Sequence, residues 1–252
     1  MSVVHNLEEN THQFTAVSHS DENHPDENHQ RLMPFDYSLA EQRWATALIR
    51  FNMKPAHYAH QSWLPVWSRQ ASDQLLSLLS VELLATYQLA SVFDWQMLVP
   101  ASRLFMTNRE TLERIALITG IASHRSSLRQ IVFKPHLEFL RAALGDVADT
   151  LWMPFAESIP QSSIRLPIQF DSFGIVALTT ELRNAGYLQM FHLLAPSRPE
   201  NYAVAKRAAF CIPQNVAALE QCAVDEEQSQ RASHAIINNI IPHWAPAWTW
   251  LF

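Results

Sequence analysis

The chain has 252 residues, of which 48% are hydrophobic, 17% are charged and only four are glycine. This composition excludes a collagen-like, wholly disordered or disulfide-dense protein, and the scarcity of glycine favours a mostly helical fold over folds rich in tight turns. The formal net charge of −6 lies within residues 1–30, which contain six acidic and no basic residues. The remainder is neutral and lacks the basic surplus of a nucleic-acid-binding protein.

The first 34 residues have the composition of a disordered tail. They contain the sequence Asp-Glu-Asn-His twice, at 21–24 and 26–29, and five of the twelve histidines of the chain. Such polar repeats cannot bury a core, and the histidines lack the close spacing of metal ligands. We therefore predict a disordered acidic, His-rich tail over 1–34, without a metal site, and one compact helical domain over 35–252.

Helical periodicity and capping residues predict the elements of this domain. The predicted helices are, in chain order, residues 38–50, 72–90, 108–119, 124–133, 135–144, 172–185, 198–210 and 225–241. Three of them open with a capping box, which pairs Ser38 with Glu41, Thr107 with Glu110, and Ser197 with Glu200. Because glycine commonly follows the last turn of a helix, Gly120, Gly145 and Gly186 are predicted to end helices.

Two segments differ from this helical pattern. Residues 55–67 contain two prolines and three large aromatic residues, which predicts a packed, turn-rich connection. Residues Ser163–Leu166 are predicted to form at most a short β-strand. The expected fold is therefore mostly α, with at most one short β element.

Short catalytic motifs are missing from the sequence. There is no phosphate-binding loop, dinucleotide fingerprint, zinc-protease helix or nucleophile elbow. The two cysteines, Cys211 and Cys222, form no metal-binding pair and are predicted to be reduced thiols. These absences argue against a motif-bearing nucleotide, metal or acyl-transfer enzyme, but a catalytic site can also be assembled in space from distant residues.

The chain is expected to stay in the cytoplasm. Its N-terminus lacks the basic and apolar regions of a signal peptide. Residues 232–252 contain no acidic or basic side chain other than histidine and approach the length of a membrane-spanning helix. Their isoleucines nevertheless form one helical stripe, and Pro242 and Pro246 interrupt the stretch, a pattern typical of a soluble helix. No membrane span is predicted.

Three blocks of the sequence, in the same order, resemble the K-protein family of type III secretion systems. The blocks are Ile49–Pro55 with Tyr58, His60, Trp63, Leu64, Pro65 and Trp67; Asn108–Ile115; and Ser233–Pro242 with the ending Leu251-Phe252. They are similar to the opening pattern, a later helix start and the terminal helix of that family. The resemblance covers about residues 47–252. The acidic extension before it is not a feature of the family.

The resemblance implies a helical, non-enzymatic adaptor of the sorting platform beneath the inner-membrane ring. We therefore predict a protein that is not an enzyme and has no catalytic residue, no cofactor and no small-molecule substrate. K-proteins bind the cytoplasmic domain of the ring's D-protein on one side and the Q-protein pod on the other. The chain would then be cytoplasmic and held at the inner membrane through these partners. The residues predicted to contact partners are Tyr58, His60, Trp63, Trp67, Arg109, Arg114, Trp244, Trp248 and Trp250.

Each of these residues also has a purely structural interpretation. Large aromatic residues fill cores as readily as they anchor interfaces, and Arg109 and Arg114 fit a solvated helix face. Two other functions also stay open at this stage. They are a helical chaperone or adaptor unrelated to secretion, and an all-α enzyme without recognisable short motifs. A deep pocket with converging titratable groups would favour the enzyme, whereas separate exposed patches would favour the scaffold.

Overall fold

The computed structural model describes residues 39–90, 100–131, 133–162, 166, 172–194, 202–218 and 226–252. All of them belong to one compact unit, Tyr37–Phe252, and every regular element among them is a helix. The expectation of a mostly α fold is therefore confirmed. The predicted tail over 1–34, most of the predicted strand over 163–166, the capping pair at 197 and 200, and Cys222 lie outside the described residues.

The described part of the chain consists of α-helices and shorter helical turns. The α-helices are α1 (Leu39–Met53), α2 (Asp73–Thr86), α3 (Pro100–Arg103), α4 (Arg109–Ser123), α5 (Arg125–Arg129), α6 (Lys134–Leu144), α7 (Ser172–Leu194), α8 (Tyr202–Phe210), α9 (Gln214–Ala217), α10 (Glu226–Ala235) and α11 (Ile241–Trp244). The 3₁₀ helices are Pro55–His57, Gln61–Trp63, Val66–Gln70, Leu104–Met106, Gly145–Trp152, Pro154–Ser158 and Pro246–Leu251. A π-helical turn, Ile236–Ile240, joins α10 to α11.

The start of α4 differs by one residue from the prediction. The side chain of Asn108, rather than that of Thr107, accepts a hydrogen bond from the Thr111 N–H at 2.9 Å. The Thr107 hydroxyl instead donates to the carbonyl of Leu104, the first residue of the preceding 3₁₀ helix. Because asparagine and threonine are both good N-caps, the sequence cannot separate two adjacent candidates.

Helices α4 and α7 form the centre of the core, and two glycines set their close contact. A Cβ atom built on Gly120 would clash with the Leu182 carbonyl oxygen, and one built on Gly186 would clash with the Ala116 carbonyl oxygen. The two helix backbones therefore touch where these glycines lie. Both glycines sit inside helices, so the predicted helix ends at Gly120 and Gly186 were wrong. The prediction for Gly145 is confirmed, since this residue follows α6 with a φ of +59°.

The C-terminal helix continues beyond its predicted end at residue 241. In the π-helical turn, the Ile241 N–H donates to the Ile236 carbonyl five residues earlier. Pro242, which has no N–H to donate, is placed at the first turn of α11, where proline is tolerated. The helical path therefore reaches Trp244 and directs the last residues back over the body of the protein.

A second, smaller apolar cluster joins α2 and residues 55–67, which we call the turn segment, to α8. Its buried members are Ala56, Ala59, Leu79, Leu83, Leu84, Leu89 and Phe210. Leu79, Leu83 and Leu84 of α2 are buried in it, whereas Leu78 is exposed. Of the first block of the sequence resemblance, Trp63 and Leu64 pack against this cluster, and Phe51 and Tyr58 pack in the main core.

Candidate protein-interaction groove

The turn segment after α1 is fixed to the end of α8 by hydrogen bonds. The His60 N–H donates to the Phe210 carbonyl at 2.7 Å, and the Trp63 indole N–H donates to the Ile212 carbonyl at 2.8 Å. The His60 ring accepts a hydrogen bond from the Ser62 N–H at 3.2 Å. Burial lowers the pKa of His60, which favours the neutral ring that this contact requires. His60 therefore acts as the N-cap of the short helix that carries Trp63.

Trp63 belongs to an aromatic cage that a lysine of the same chain fills. Trp63, Tyr87 and Phe210 contact one another edge-on or tilted, with ring centres 5.1 to 6.0 Å apart. The Lys206 ammonium lies 4.1 Å from the centre of the Tyr87 ring and 5.2 Å from that of Trp63. We call these four residues the lysine-filled cage. Because the indole N–H and the ring faces already have partners within the chain, Trp63 contributes to folding.

Three other predicted contact residues are placed on separate surfaces. Trp67 is 59% exposed, and its neighbour Val66 is 77% exposed. Arg109 forms an ion pair with Glu113 one turn along α4, at 2.9 Å. Arg114 forms an ion pair with Asp146. Exposed pairs of this kind contribute about 0 to 1 kcal/mol to stability.

The three C-terminal tryptophans have different surroundings. Trp244 is buried and packs edge-on against Phe155, with ring centres 5.8 Å apart. Trp248 and Trp250 are only half-buried and stack on each other at 6.0 Å with an interplanar angle of 27°. The structure therefore places Trp244 in the core and leaves the other two indoles at the surface.

Tyr58, Trp248 and Trp250 meet in one open groove of about 410 Å³ between α1 and the C-terminal 3₁₀ helix. We call it the aromatic–arginine groove. Its lining residues are Gln42, Arg43, Thr46, Ala47, Arg50, Tyr58, Met106, Trp248 and Trp250. The α1 residues form a stripe at helical spacing and make one wall, and the two stacked tryptophans make the other. Arg103 holds this second wall, because it donates to the Leu251 carbonyl at 3.0 Å.

The groove combines aromatic surface with positive charge. The described residues of its lining include two arginines and no carboxylate. The Arg50 guanidinium donates to Nδ1 of His57 at 3.2 Å, whereas the Arg43 guanidinium has no hydrogen-bond or ion-pair partner among the described residues. Burial raises the pKa of Tyr58 to about 12, so its hydroxyl keeps the proton. The groove therefore offers donors and ring faces to a ligand.

A second, more polar cleft lies between the 3₁₀ helix Pro154–Ser158 and α10. Two adjoining cavities of about 240 and 610 Å³ share Ser158 and Arg231. The charges in this cleft have partners within the chain. Arg125 contacts Glu157 at 3.0 Å and donates to the Ile159 carbonyl at 2.7 Å. Hydrogen bonds from Arg129 and Arg125 lower the pKa of Glu157. We therefore assign this network to the packing of the surrounding helices.

Neither a metal site nor a membrane-spanning helix is found in the described part of the chain. No group of three or more histidine, cysteine, aspartate or glutamate side chains there could hold a metal ion. No helix there has both the length and the apolar character needed to cross a bilayer. Cys211 is buried and unpaired, and burial raises the pKa of its thiol.

Comparison with protein-family models, curated proteins and solved structures finds no match to this chain. The candidate function therefore depends on the sequence blocks and on the geometry of the groove. Sequence reasoning found the aromatic members of the groove but missed Arg43 and Arg50. Their spacing on one face of α1 was visible, but the surface that faces them lies about two hundred residues later in the chain.

Proposed function

We propose that this chain is a non-enzymatic adaptor of a type III secretion system, of the K-protein kind. In this role it links the D-protein of the inner-membrane ring to the Q-protein pod of the sorting platform. It acts at the cytoplasmic face of the membrane, where its protein partners hold it. One observation supports the proposal. Arg50 and Tyr58 of the first sequence block line one groove with Trp248 and Trp250, which lie between Pro242 and the ending Leu251-Phe252 of the last block.

The lining of the groove favours binding over catalysis. Tyr58 keeps its proton because burial raises its pKa, and arginine side chains do not lose theirs. Among the described lining residues there is therefore no group suited to accept a proton or to attack a substrate near neutral pH. Half-exposed indoles beside arginines are instead typical of the residues that dominate protein–protein interfaces.

The test is co-purification of the full-length tagged chain from cells that assemble a type III system, read by mass spectrometry. Trp250→Ala removes one wall of the groove. Trp152→Ala is the matched control, because Trp152 is 63% exposed and does not line the groove. We expect the unaltered chain and the control variant to recover the D- and Q-proteins, and the groove variant to lose at least one of them.

Three results would contradict the proposal. The first is recovery of neither protein by the unaltered, folded chain. The second is recovery of an unrelated set of proteins only, which would favour a chaperone or adaptor outside secretion. The third is equal recovery by all three chains, which would remove the groove from the interaction.

A further inference from the structure

The aromatic–arginine groove has a charge pattern that selects among ligands. Arg43 and Arg50 lie two turns apart on α1, both exposed, and both line the groove. None of the described residues that line the groove is acidic. Among these residues, an anionic group therefore meets two cations and no competing carboxylate. No described residue forms a hydrogen bond or an ion pair with the Arg43 guanidinium.

The opposite wall is suited to a flat apolar side chain. Trp248 and Trp250 stack on each other and stay half-exposed. Tyr58 and Met106 lie at the same groove, and Tyr58 is held edge-on against Phe51 at 5.2 Å. A volume of about 410 Å³ falls in the range of pockets that accept ligand groups. Aromatic rings on such a wall gain from edge-on or offset stacking.

We propose that the groove binds an acidic peptide segment of a partner protein. An aromatic side chain of the segment packs against Trp248 and Trp250, and neighbouring carboxylates pair with Arg43 and Arg50. Two arginines are too few to neutralise a nucleic-acid backbone with useful affinity, which favours a peptide over an oligonucleotide. This inference rests on the proposed function, because it assigns a ligand to the same groove.

The test uses fluorescent ten-residue peptides and the full-length chain, with binding followed by fluorescence anisotropy. The central residue of the probe is phenylalanine, flanked by four aspartate or glutamate residues. One control peptide has lysine in place of the acidic residues, and another has glycine in place of phenylalanine. We expect the acidic aromatic probe to bind and both control peptides to bind at least about tenfold more weakly.

Variants of the chain test the two walls separately. Arg43→Gln is expected to weaken binding of the acidic aromatic probe about tenfold, because it removes one charged contact. Trp250→Ala is expected to weaken it by more than about tenfold. Arg141→Gln is the matched control, since Arg141 is exposed on α6 and does not line the groove. Circular dichroism checks that every variant keeps its helical content.

Salt supplies an independent check of the charged contacts. Raising the salt from about 0.1 M to about 1 M shortens the Debye length from about 10 Å to about 3 Å. Binding of the acidic probe should weaken over this range for the unaltered chain. The dependence should be smaller for Arg43→Gln.

Several outcomes would overturn the inference. They are tighter binding of the lysine peptide, unchanged binding by Arg43→Gln or Trp250→Ala, and displacement of the probe by a single-stranded oligonucleotide at lower concentration than by unlabelled peptide. If the probe fails while recovery of the D- or Q-protein depends on Trp250, the ligand class is wrong and the proposed function stands. If the probe binds as expected while neither protein is recovered, the proposed function is wrong and the ligand class stands.

Discussion

The two tryptophan clusters of this protein differ in what covers their rings. In the lysine-filled cage, Trp63 has two aromatic neighbours, an ammonium ion over the ring and a backbone partner for its N–H. In the aromatic–arginine groove, Trp248 and Trp250 stack on each other and pack partly against the main core, and the rest of their surface is exposed. The first cluster is complete within the chain, whereas the second has room for a further side chain.

The difference shows how to separate a tryptophan that stabilises the fold from one that serves as an anchor. The deciding feature is how far other side chains cover the ring, and in Trp63 the hydrogen bond of the indole N–H adds to this cover. By this criterion Trp63 and Trp244 belong to the folded body, and Trp248 and Trp250 belong to the proposed interaction surface. The criterion predicts that changes in the closed regions reduce stability, whereas changes in the groove reduce binding.

The largest effect on stability is expected where the backbones of α4 and α7 approach each other most closely. Gly186→Val would push its side chain into the Ala116 carbonyl oxygen, so the two central helices must separate. We expect the free energy of unfolding to fall by more than about 3 kcal/mol, or the chain to fail to fold. Urea denaturation followed by circular dichroism measures the change.

Gly145→Ala is the control for this substitution. Gly145 has no atom within 4 Å of a built Cβ, and its only constraint is a φ of +59°. Its cost should be about 1 to 2 kcal/mol, because the backbone conformation alone is unfavourable for alanine. Equal losses for the two substitutions would show that crowding between the helices is not the cause.

These two glycine roles mark where sequence reasoning succeeded and where it could not. The stop at Gly145 depends on local backbone conformation, so a local pattern predicted it. Gly186 is needed because another helix backbone passes close by, and no local pattern records that neighbour. Helix α4 was predicted over residues 108–119, whereas it spans Arg109–Ser123, because its ends depend on the choice between adjacent caps and on this helix crossing.

The candidate groove divides in the same way. Its aromatic residues were identifiable, because tryptophans beside prolines near a chain end have few local partners. Which of the predicted tryptophans stay exposed could not be predicted. Lys206 and Ile212 contact Trp63, and Phe155 packs against Trp244, and each of these partners is distant in sequence from the tryptophan that it contacts. Arg43 was missed for the same reason, since only folding places it opposite the C-terminal tryptophans.

Removing a ring from each cluster tests the criterion directly. Trp63→Ala deletes the centre of the cage and the hydrogen bond to the Ile212 carbonyl, and should lower the free energy of unfolding by about 2 to 3 kcal/mol. Trp250→Ala should lower it by less than about 1 kcal/mol. Both values come from urea denaturation. A larger loss for Trp250→Ala would make its ring part of the folded body and contradict the assignment of the groove.

A smaller effect is expected from the cation in the cage. Lys206→Met keeps a long apolar side chain but removes the ammonium ion that lies over Tyr87. The expected loss is about 1 kcal/mol. Lys206→Arg, which keeps a cation that can stack on the rings, is the conservative control and should lose less. No loss for Lys206→Met would show that the rings alone complete the cage.

The smallest effect expected is a pH dependence that separates the two clusters. Burial is the main cause that lowers the pKa of both His60 and His57 below the ordinary value of 6.5. The unfolded chain therefore binds these protons more tightly than the folded chain does. Stability from these two residues is present above pH 6.5 and is lost as the pH falls toward their lowered folded values. Urea denaturation midpoints measured from about pH 7.5 to about pH 5.5 should therefore fall with pH.

His60→Gln should flatten part of this decrease in the denaturation midpoint, because glutamine has no proton to bind in this range.

The groove behaves differently, since Arg43 and Arg50 stay charged and burial raises the pKa of Tyr58 to about 12. Binding of the acidic aromatic probe should consequently not weaken from about pH 7.5 to about pH 5.5. The carboxylates of the probe stay ionised in this range, and a proton gained by His57, which accepts the Arg50 hydrogen bond, adds positive charge beside the groove. A parallel fall of binding and stability with pH would mean that the groove loses its shape with the turn segment. The lysine-filled cage and the aromatic–arginine groove would then unfold as one cooperative unit.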